Sequence, residues 1–273
     1  MKVYISADME GTSGVVHSDQ TDPAHPEYQA ARRLMLAEVN AAIEGALAGG
    51  ATEILVNDSH WDMRNLAIDQ LHPAATLLSG TPKPYSMMTG IDASFDRVFF
   101  TGYHARAGSV AGILDHTYNG PNIVQGVWIN NVEVGEYGVN AALAGYFNVP
   151  VALITGDQTA CAQAKELLGE DLETVIVKEA VGRVAAKNLH PTRARDLIRA
   201  GAERAVKSKR APYVVAAPIT LRLAFARSTQ AEQASLIPGV QRTAPRVVEL
   251  TLDDYAILFR AFRAMLTLGS IQS

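Results

Sequence analysis

The sequence predicts an α/β protein of three layers, in which helices cover both faces of a mostly parallel sheet, with a closely packed C-terminal α/β subdomain. Short β-branched segments alternate with amphipathic segments along the chain, which is the pattern of parallel α/β sheets. The 273 residues are 48% hydrophobic and 19% charged, a composition typical of compact globular proteins. No linker rich in Ser, Gly or Pro divides the chain, so we expect two closely packed or interleaved subdomains, residues 1–190 and 191–273.

The strongest secondary-structure signals lie in the first subdomain. Alternating hydrophobic residues predict a strand over Lys2–Ala7. Hydrophobic residues that recur four apart predict a long helix over Glu27–Ala48, which Gly49 and Gly50 end. Further strands are expected over Glu53–Asn57, Arg97–Thr101 and Val151–Thr155. Further helices are expected over Gly138–Phe147 and Thr159–Leu168, the second capped by Asp157 or Thr159.

The last third of the chain differs in character and begins with an arginine-rich surface helix over Pro191–Lys207. Strands are predicted over Tyr213–Ala217, Leu221–Phe225 and Arg246–Leu250. A closing helix is predicted over Asp253–Leu268, with aromatic residues at helical spacing that indicate a core or subunit contact.

Composition excludes several classes of function. A net charge of −4 offers no electrostatic footprint for nucleic acid. No apolar run reaches the roughly 18–20 residues of a bilayer-spanning helix, and the N-terminal residues lack the apolar region of a signal peptide. The single cysteine, Cys161, excludes an internal disulfide framework, and its helical setting among alanines predicts an inert core residue. We therefore expect a cytoplasmic protein.

Polar clusters follow three of the predicted strands. They are Ser6–Gly11, Asn57–His60 and Gly102–Arg106. Because parallel strands end at the same edge of a sheet, and ligands bind at that edge in α/β proteins, we expect these clusters to lie close together.

Two carboxylates and two imidazoles in these clusters predict a metal site: Asp8, Glu10, His60 and His104. Each has an ordinary alternative, a capping carboxylate, a loop histidine or a buried core histidine. Imidazole and carboxylate ligands without thiolate suit zinc, with manganese or cobalt tolerated. Asp8 and Glu10 could hold two metals with one bridging carboxylate, an arrangement that activates water and polarises a substrate carbonyl or phosphoryl group.

The segment Ser6-x-Asp8-x-Glu10-Gly11 resembles the S-x-D-x-E-G signature of the DppA-type D-aminopeptidases, a family of zinc metallopeptidases. Later segments are similar to further blocks of that family, in the same order. These are Leu55–His60, Leu71–Pro73, Gly102–Ala107, Val134–Asn140 and Pro150–Asp157. The resemblance covers nearly the whole chain and is strongest up to Asp157.

The resemblance implies a specific set of site residues. The implied zinc ligands are Asp8, Glu10, His60, His104 and Glu136, with Asp8 as the bridge. Glu133 lies outside the V-G-E-x-G position and is excluded. His116 fits the family's active-site histidine, as acid/base, oxyanion stabiliser or nucleophile, and Asp115 is the alternative if the alignment shifts by one residue.

The implied function is that of an aminopeptidase with two zinc ions per subunit, which hydrolyses N-terminal D-amino acids, of the D-Ala type, from short peptides by metal-activated water. Residues 1–190 would form the catalytic, metal-binding subdomain. The family also implies a homodecamer of two stacked pentamers. The alternatives are another metal-dependent amidohydrolase, a deacetylase or phosphatase, or a non-catalytic peptide-binding protein linked to dipeptide transport.

Two further residues have open roles. Asp58 could orient the ring of His60 or His104 from behind the ligands. Arg106 could bind a substrate carboxylate or pair with a structural acid.

Overall fold

The computed structural model of the chain describes residues 1–271. Within that range the strands are β1 (Lys2–Ala7), β2 (Glu53–Asp58), β3 (Ala75–Leu78), β4 (Arg97–Tyr103), β5 (Val124–Ile129), β6 (Val132–Val134), β7 (Val151–Asp157), β8 (Glu173–Gly182), β9 (Ala185–Asn188), β10 (Ile219–Phe225), β11 (Gln241–Ala244) and β12 (Val247–Leu252). The helices are α1 (Ser18–Thr21), α2 (Tyr28–Ala48), α3 (Glu136–Tyr146), α4 (Gln158–Leu168), α5 (Pro191–Lys207), α6 (Ser228–Ala234) and α7 (Tyr255–Gly269).

A seven-stranded sheet organises the molecule, in the order β3-β2-β1-β4-β7-β8-β9. Neighbouring strands run parallel except β9, which pairs antiparallel with β8. The central strand β1 lies between β2 and β4, with Ala7 opposite both Asp58 and Thr101. The three predicted polar clusters therefore leave the sheet side by side, as the prediction of a mostly parallel sheet requires.

Helices cover both faces of this sheet, so the predicted three-layer α/β architecture is confirmed. On one face α2 packs against α5, with Met35, Val39 and Ile43 in the same buried cluster as Val3 and Ile5. On the other face α3 contacts β4, and α4 contacts β7 and β8. Asp157 caps α4 by accepting hydrogen bonds from the amides of Thr159 and Ala160, one of the two predicted caps.

A second, antiparallel sheet has the order β11-β12-β10-β5-β6 and packs with α6 and α7. Its strands β5 and β6 precede residue 190, whereas β10, β11 and β12 follow it. The sheet therefore draws on both predicted subdomains, because β5 pairs directly with β10. The division at residue 190 stays a prediction.

The strand predicted over Tyr213–Ala217 is wrong. The segment belongs to no sheet, and Val214 is 64% exposed. Prolines at 212 and 218 flank it, and a proline lacks the backbone N–H that a strand ladder requires. None of the helices in residues 1–271 is long and apolar enough to span a membrane.

Candidate metal centre

The loop after β1 is fixed beneath the end of β4 by backbone hydrogen bonds. The amide of Asp8 donates to the carbonyl of Thr101, and that of Gly11 donates to the carbonyl of Gly102, each at 2.8 Å. A Cβ atom on Gly11 would lie 2.0 Å from the carbonyl oxygen of Tyr103. Glycine is therefore required at this position for the loop to pass β4 and bring Asp8 and Glu10 to the edge of the sheet.

The loop after β2 presents His60. The carboxylate of Asp58 accepts hydrogen bonds from the amides of Asn65 and Leu66, at 2.6 and 2.7 Å. The side-chain amide of Asn65 in turn donates to the backbone carbonyl of His60, at 2.6 Å. Asp58 thus holds the backbone of this loop. It supports His60 through Asn65, which bonds the main chain of His60 and not its imidazole ring.

His104 and Glu136 come from β4 and α3. His104 follows the last residue of β4, and Glu136 is the first residue of α3. The amide of Tyr118 donates to Glu136 Oε1 at 2.6 Å, which orients that carboxylate. Both side chains are buried, with 1% of His104 and 4% of Glu136 exposed.

The structure brings all five predicted ligands together. His60 Nδ1 lies 3.4 Å from Asp8 Oδ1 and 3.1 Å from Glu10 Oε2. His104 Nε2 lies 3.5 Å from Asp8 Oδ2 and 3.5 Å from Glu136 Oε1. Asp8 therefore stands between the two histidines, with one oxygen directed to each.

His116, which the family resemblance implies as the active-site histidine, lies beside this cluster. Its ring stacks on His104 with centroids 4.0 Å apart, and its Nε2 lies 3.7 Å from Glu136 Oε1. The alternative residue, Asp115, accepts hydrogen bonds from the amides of Gly108 and Ser109 and forms an ion pair with Arg183 at 3.0 Å. Its carboxylate is thus engaged in holding its own loop.

The histidine tautomers fit a metal. One ring nitrogen of each histidine contacts a backbone carbonyl: His60 Nε2 with Thr21 at 2.9 Å, His104 Nδ1 with Ala105 at 3.0 Å, and His116 Nδ1 with Leu114 at 2.8 Å. If that nitrogen carries the proton, the other nitrogen presents a lone pair to the carboxylates. Such a carbonyl contact is the usual support of a metal-binding histidine.

Two atoms at the centre of the cluster have no hydrogen-bond partner among residues 1–271. Asp8 Oδ2 and His104 Nε2 are both buried and lie 3.5 Å apart. Buried polar atoms are normally satisfied, because an unpaired one costs free energy. A cation between them would satisfy both, so the residues present fit a bound metal.

Burial and the charges of neighbouring groups shift the pKa values of the cluster. Burial and the neighbouring Glu10 raise the pKa of Asp8 to about 7. Burial alone would lower the pKa of His104, but Glu136 and the other carboxylates raise it to about 10. Burial and the proximity of His104 lower the pKa of His116. The cluster thus attracts positive charge, whether as protons or as a metal ion.

A buried hydrogen-bond network beneath the cluster was missed in the sequence. Ser6 Oγ bonds the hydroxyl of Tyr103 at 2.7 Å, and that hydroxyl accepts from Asn140 Nδ2 at 2.9 Å. Asn140 Oδ1 accepts from the hydroxyl of Tyr118 at 2.7 Å, and the amide of Tyr118 binds Glu136. Ser6 and Asn140 both lie within segments that resemble those of the family. That resemblance is the signal that could have indicated them.

The cluster opens into a cavity of about 880 Å³. Asp8, Glu10, His60, His116 and Glu136 reach its wall. The surrounding wall combines hydroxyl and other polar side chains with apolar, aromatic and cationic ones, among them Trp61, Met63, Tyr118, Arg183 and Arg263. The cavity is large enough for a small peptide.

Arg106 and Cys161 are not part of this cavity. Arg106 Nε lies 3.4 Å from Glu133 Oε2, an ion pair of the kind named by the second of its two predicted roles. Cys161 is buried, and burial raises the pKa of its thiol, as expected of an inert core residue.

Comparison with known proteins gives a consistent result. The model of the M55 peptidases, described as D-aminopeptidase, matches residues 1–264. The D-aminopeptidase of Bacillus subtilis strain 168 is 39% identical over 277 residues, which span 99% of this chain and 97% of that protein. The solved structure of the Zn-dependent D-aminopeptidase DppA from Bacillus subtilis, described as a self-compartmentalizing protease, superimposes with a TM-score of 0.96 at 37% identity, covering 100% of this chain and 99% of that one. The chain therefore belongs to the D-aminopeptidase family of peptidases, the family that its sequence resembles.

Proposed function

We propose that this member of the family is a zinc-dependent aminopeptidase with two zinc ions per subunit. It would remove an N-terminal D-amino acid, of the D-Ala type, from short peptides. Support for zinc comes from the donor set of imidazoles and carboxylates and from the similar solved structure, which is described as Zn-dependent. The cavity beside the cluster has room for a short peptide.

The proposed ligands are Asp8, Glu10, His60, His104 and Glu136. Asp8 Oδ1 faces His60, with Glu10 beside it, and Asp8 Oδ2 faces His104, with Glu136 beside it. This arrangement gives two adjacent sets of donors that share Asp8, and it supports Asp8 as the bridge. The observation that carries the proposal is the buried, unpartnered pair of Asp8 Oδ2 and His104 Nε2.

Zinc bound there would supply a Lewis acid for the scissile carbonyl and would lower the pKa of a water molecule for attack at neutral pH. The side chain of His116 lines the cavity, and its Nδ1 is occupied by the carbonyl of Leu114. Its Nε2 is therefore the nitrogen that would accept a proton from the attacking water molecule and pass it to the leaving amine. The stack on His104 and the contact with Glu136 hold the ring in that orientation.

We further propose that the chain works as a cytoplasmic homo-oligomer, a decamer of two stacked pentamers. The similar solved structure is described as a self-compartmentalizing protease, which supports an assembly that encloses its active sites. Light scattering after size-exclusion chromatography measures the mass directly. A mass of ten chains is expected, and a monomer would contradict the assembly while leaving the chemistry of the site untouched.

The central test combines metal analysis with turnover. We expect about two zinc ions per chain and chelator-sensitive hydrolysis of D-Ala-D-Ala, with L-Ala-L-Ala cleaved far more slowly. Acetylated amines and phosphate esters, offered under the same conditions, test for a deacetylase or a phosphatase. A metal-free protein that binds peptides without cleaving them would overturn the proposal, because that is the behaviour of a transport component.

A matched pair of variants locates the metal. His104→Ala removes a proposed ligand and should lose both zinc and activity. His72→Ala removes a histidine outside the cluster and should retain both. Equal zinc content in the two variants would contradict the assignment of His104.

A further inference from the structure

A buried lysine lies against the segment that carries Glu10. Lys178, on β8, is 1% exposed. Its ammonium nitrogen donates to the backbone carbonyls of Glu10, Thr12 and Val15, at 2.5, 2.9 and 2.5 Å. An ammonium group has three protons, and each has a carbonyl acceptor in this one segment. Lys178 therefore fixes three successive points of the backbone between β1 and α1.

The same segment has further fixed points, the first of which is the amide of Gly11, which donates to the carbonyl of Gly102 on β4 at 2.8 Å. The amide of Ser13 donates to Glu38 Oε1 on α2 at 2.9 Å, and its hydroxyl donates to the carbonyl of Leu189 at 2.6 Å. The amide of Gly14 donates to Asn188 Oδ1 at 2.9 Å. The Gly11 bond holds the N–H of the peptide unit that follows Glu10, and in residues 1–271 only Lys178 donates a hydrogen bond to the carbonyl of that unit.

That carbonyl belongs to the residue whose carboxylate faces His60 at 3.1 Å. The backbone of Glu10 therefore sets the direction of a proposed metal ligand. Burying an ammonium group costs free energy that an apolar side chain of similar size would not. The three hydrogen bonds of Lys178 offset part of that cost, and they fix the course of the backbone next to the cluster.

We propose that Lys178 is a positioning residue of the metal centre, which holds the main chain of Glu10 so that its carboxylate faces the metal. The inference rests on the proposed function, since it requires that Glu10 bind a metal. Lys178 does not line the cavity, and its hydrogen bonds in residues 1–271 go to backbone carbonyls, while its charge also attracts the nearby Glu10 carboxylate.

The test compares Lys178→Met with Val177→Ala. Methionine has nearly the length of lysine but donates no hydrogen bond. Val177 is the preceding residue of β8 and is buried in the apolar cluster beneath α2 and α5, so its truncation removes packing from the same strand and leaves the three hydrogen bonds of Lys178 in place. Competition with a chelator gives the zinc dissociation constant of each variant, and circular dichroism in the near ultraviolet verifies that both are folded.

We expect Lys178→Met to raise the zinc dissociation constant by about 10–100-fold, the range found when a supporting partner of a metal ligand is removed. Val177→Ala should lower the thermal midpoint and leave zinc binding unchanged. Hydrogen exchange provides a second measurement that needs no metal. In the zinc-free Lys178→Met protein, the amides of residues 10–16 should exchange faster than in the zinc-free wild type.

Two results for the Lys178→Met variant would overturn the inference. One is a Lys178→Met protein that loses thermal stability like Val177→Ala but binds zinc as the wild type does, since that shows a purely structural lysine. The other is unchanged exchange in residues 10–16. A wild-type protein that binds no zinc would overturn both the metal centre and this inference. A zinc-loaded, active wild type with an unaffected Lys178→Met variant would refute the inference alone.

If Lys178→Met does not fold, Lys178→Gln, which keeps a donor group, takes its place in the same comparison.

Discussion

At the scale of single residues, the two stacked histidines have different neighbours and should respond differently to removal. His104 Nε2 is 3.5 Å from both Asp8 and Glu136, whereas His116 Nε2 lies 3.7 Å from Glu136 alone. We expect His116→Ala to retain zinc and to lose about 10²–10⁴-fold in kcat, the usual contribution of a proton-transfer group. Zinc content and kcat, measured on the same preparation, check this. Loss of zinc together with activity would make His116 a ligand instead.

Glu38 is a buried acid on α2, outside the proposed ligand set. Burial raises the pKa of its carboxyl from 4.5 to about 7, although the hydrogen bond from Ser13 opposes this. Between pH 4.5 and 7 the folded chain therefore binds more protons at this site than the unfolded chain, so its contribution to stability falls as the pH rises through that window.

Glu38→Gln keeps an acceptor for the amide of Ser13 but cannot ionise. The variant should match the wild type near pH 5 and become more stable than the wild type near pH 8, by on the order of 3 kcal/mol. Thermal midpoints of both proteins at the two pH values measure the difference, in which the titration of all other groups cancels. A difference that does not change with pH would show that Glu38 is ionised in the folded protein throughout.

At the scale of secondary-structure elements, the close approach of the β1 loop to β4 is the most demanding contact of the site. A Cβ atom at position 11 would lie 2.0 Å from the Tyr103 carbonyl oxygen and 2.7 Å from that of Gly102. Gly11→Ala should destabilise the protein by about 1–3 kcal/mol through overpacking and should lower its zinc content, because Asp8 and Glu10 move with the loop. Denaturant titration and metal analysis measure the two effects.

The control for that variant is Gly182→Ala, at the end of β8. No atom of the described residues would lie within 4 Å of a Cβ atom there, so both zinc content and stability should be those of the wild type. Wild-type zinc content in Gly11→Ala would mean that the loop can leave β4 without disturbing the cluster.

The helices and strands differ in how well their bounds follow from the sequence. The bounds of β1 and α5 agree with their predictions, because alternation ends at a polar cluster in one case and proline begins the other. The strands β5 and β6 were not predicted, although they form a hairpin across Asn130 and Asn131, both at positive φ, which is a local signal. Beyond this hairpin, β5 also pairs with β10, about ninety residues later, as Leu221 opposite Ile129 illustrates. Local patterns carry no information on such a partner.

The same distinction applies to the site. Asp8, Glu10, His60 and His104 could be placed together from strand ends alone, because parallel strands share an edge. Glu136 and His116 required the resemblance to a family, since a first-turn acid and a loop histidine have no distinctive spacing. Lys178 could not be found at all, because its bonds join residues separated by 163 to 168 positions.

At the scale of the whole molecule, the cluster ties together segments that are distant in sequence. Four of its proposed ligands follow β1, β2 and β4, and the fifth begins α3. Together they span the sequence from Asp8 to Glu136. An unfolded chain does not hold these side chains together, so a metal that binds all of them binds only the folded state. The free energy of metal binding then adds to the free energy of unfolding.

Removal of zinc should therefore lower the thermal midpoint of the entire protein. At free zinc about 1,000 times the dissociation constant the stabilisation is about 4 kcal/mol, which corresponds to a shift on the order of 10 °C for a protein of this size. Calorimetry with and without a chelator measures it, and Asp8→Asn is the control, since weakening the shared ligand should abolish most of the shift. A wild-type midpoint that stays constant, while metal analysis shows that zinc has left, would mean that the cluster is held by its own hydrogen bonds and that the metal contributes nothing to the fold.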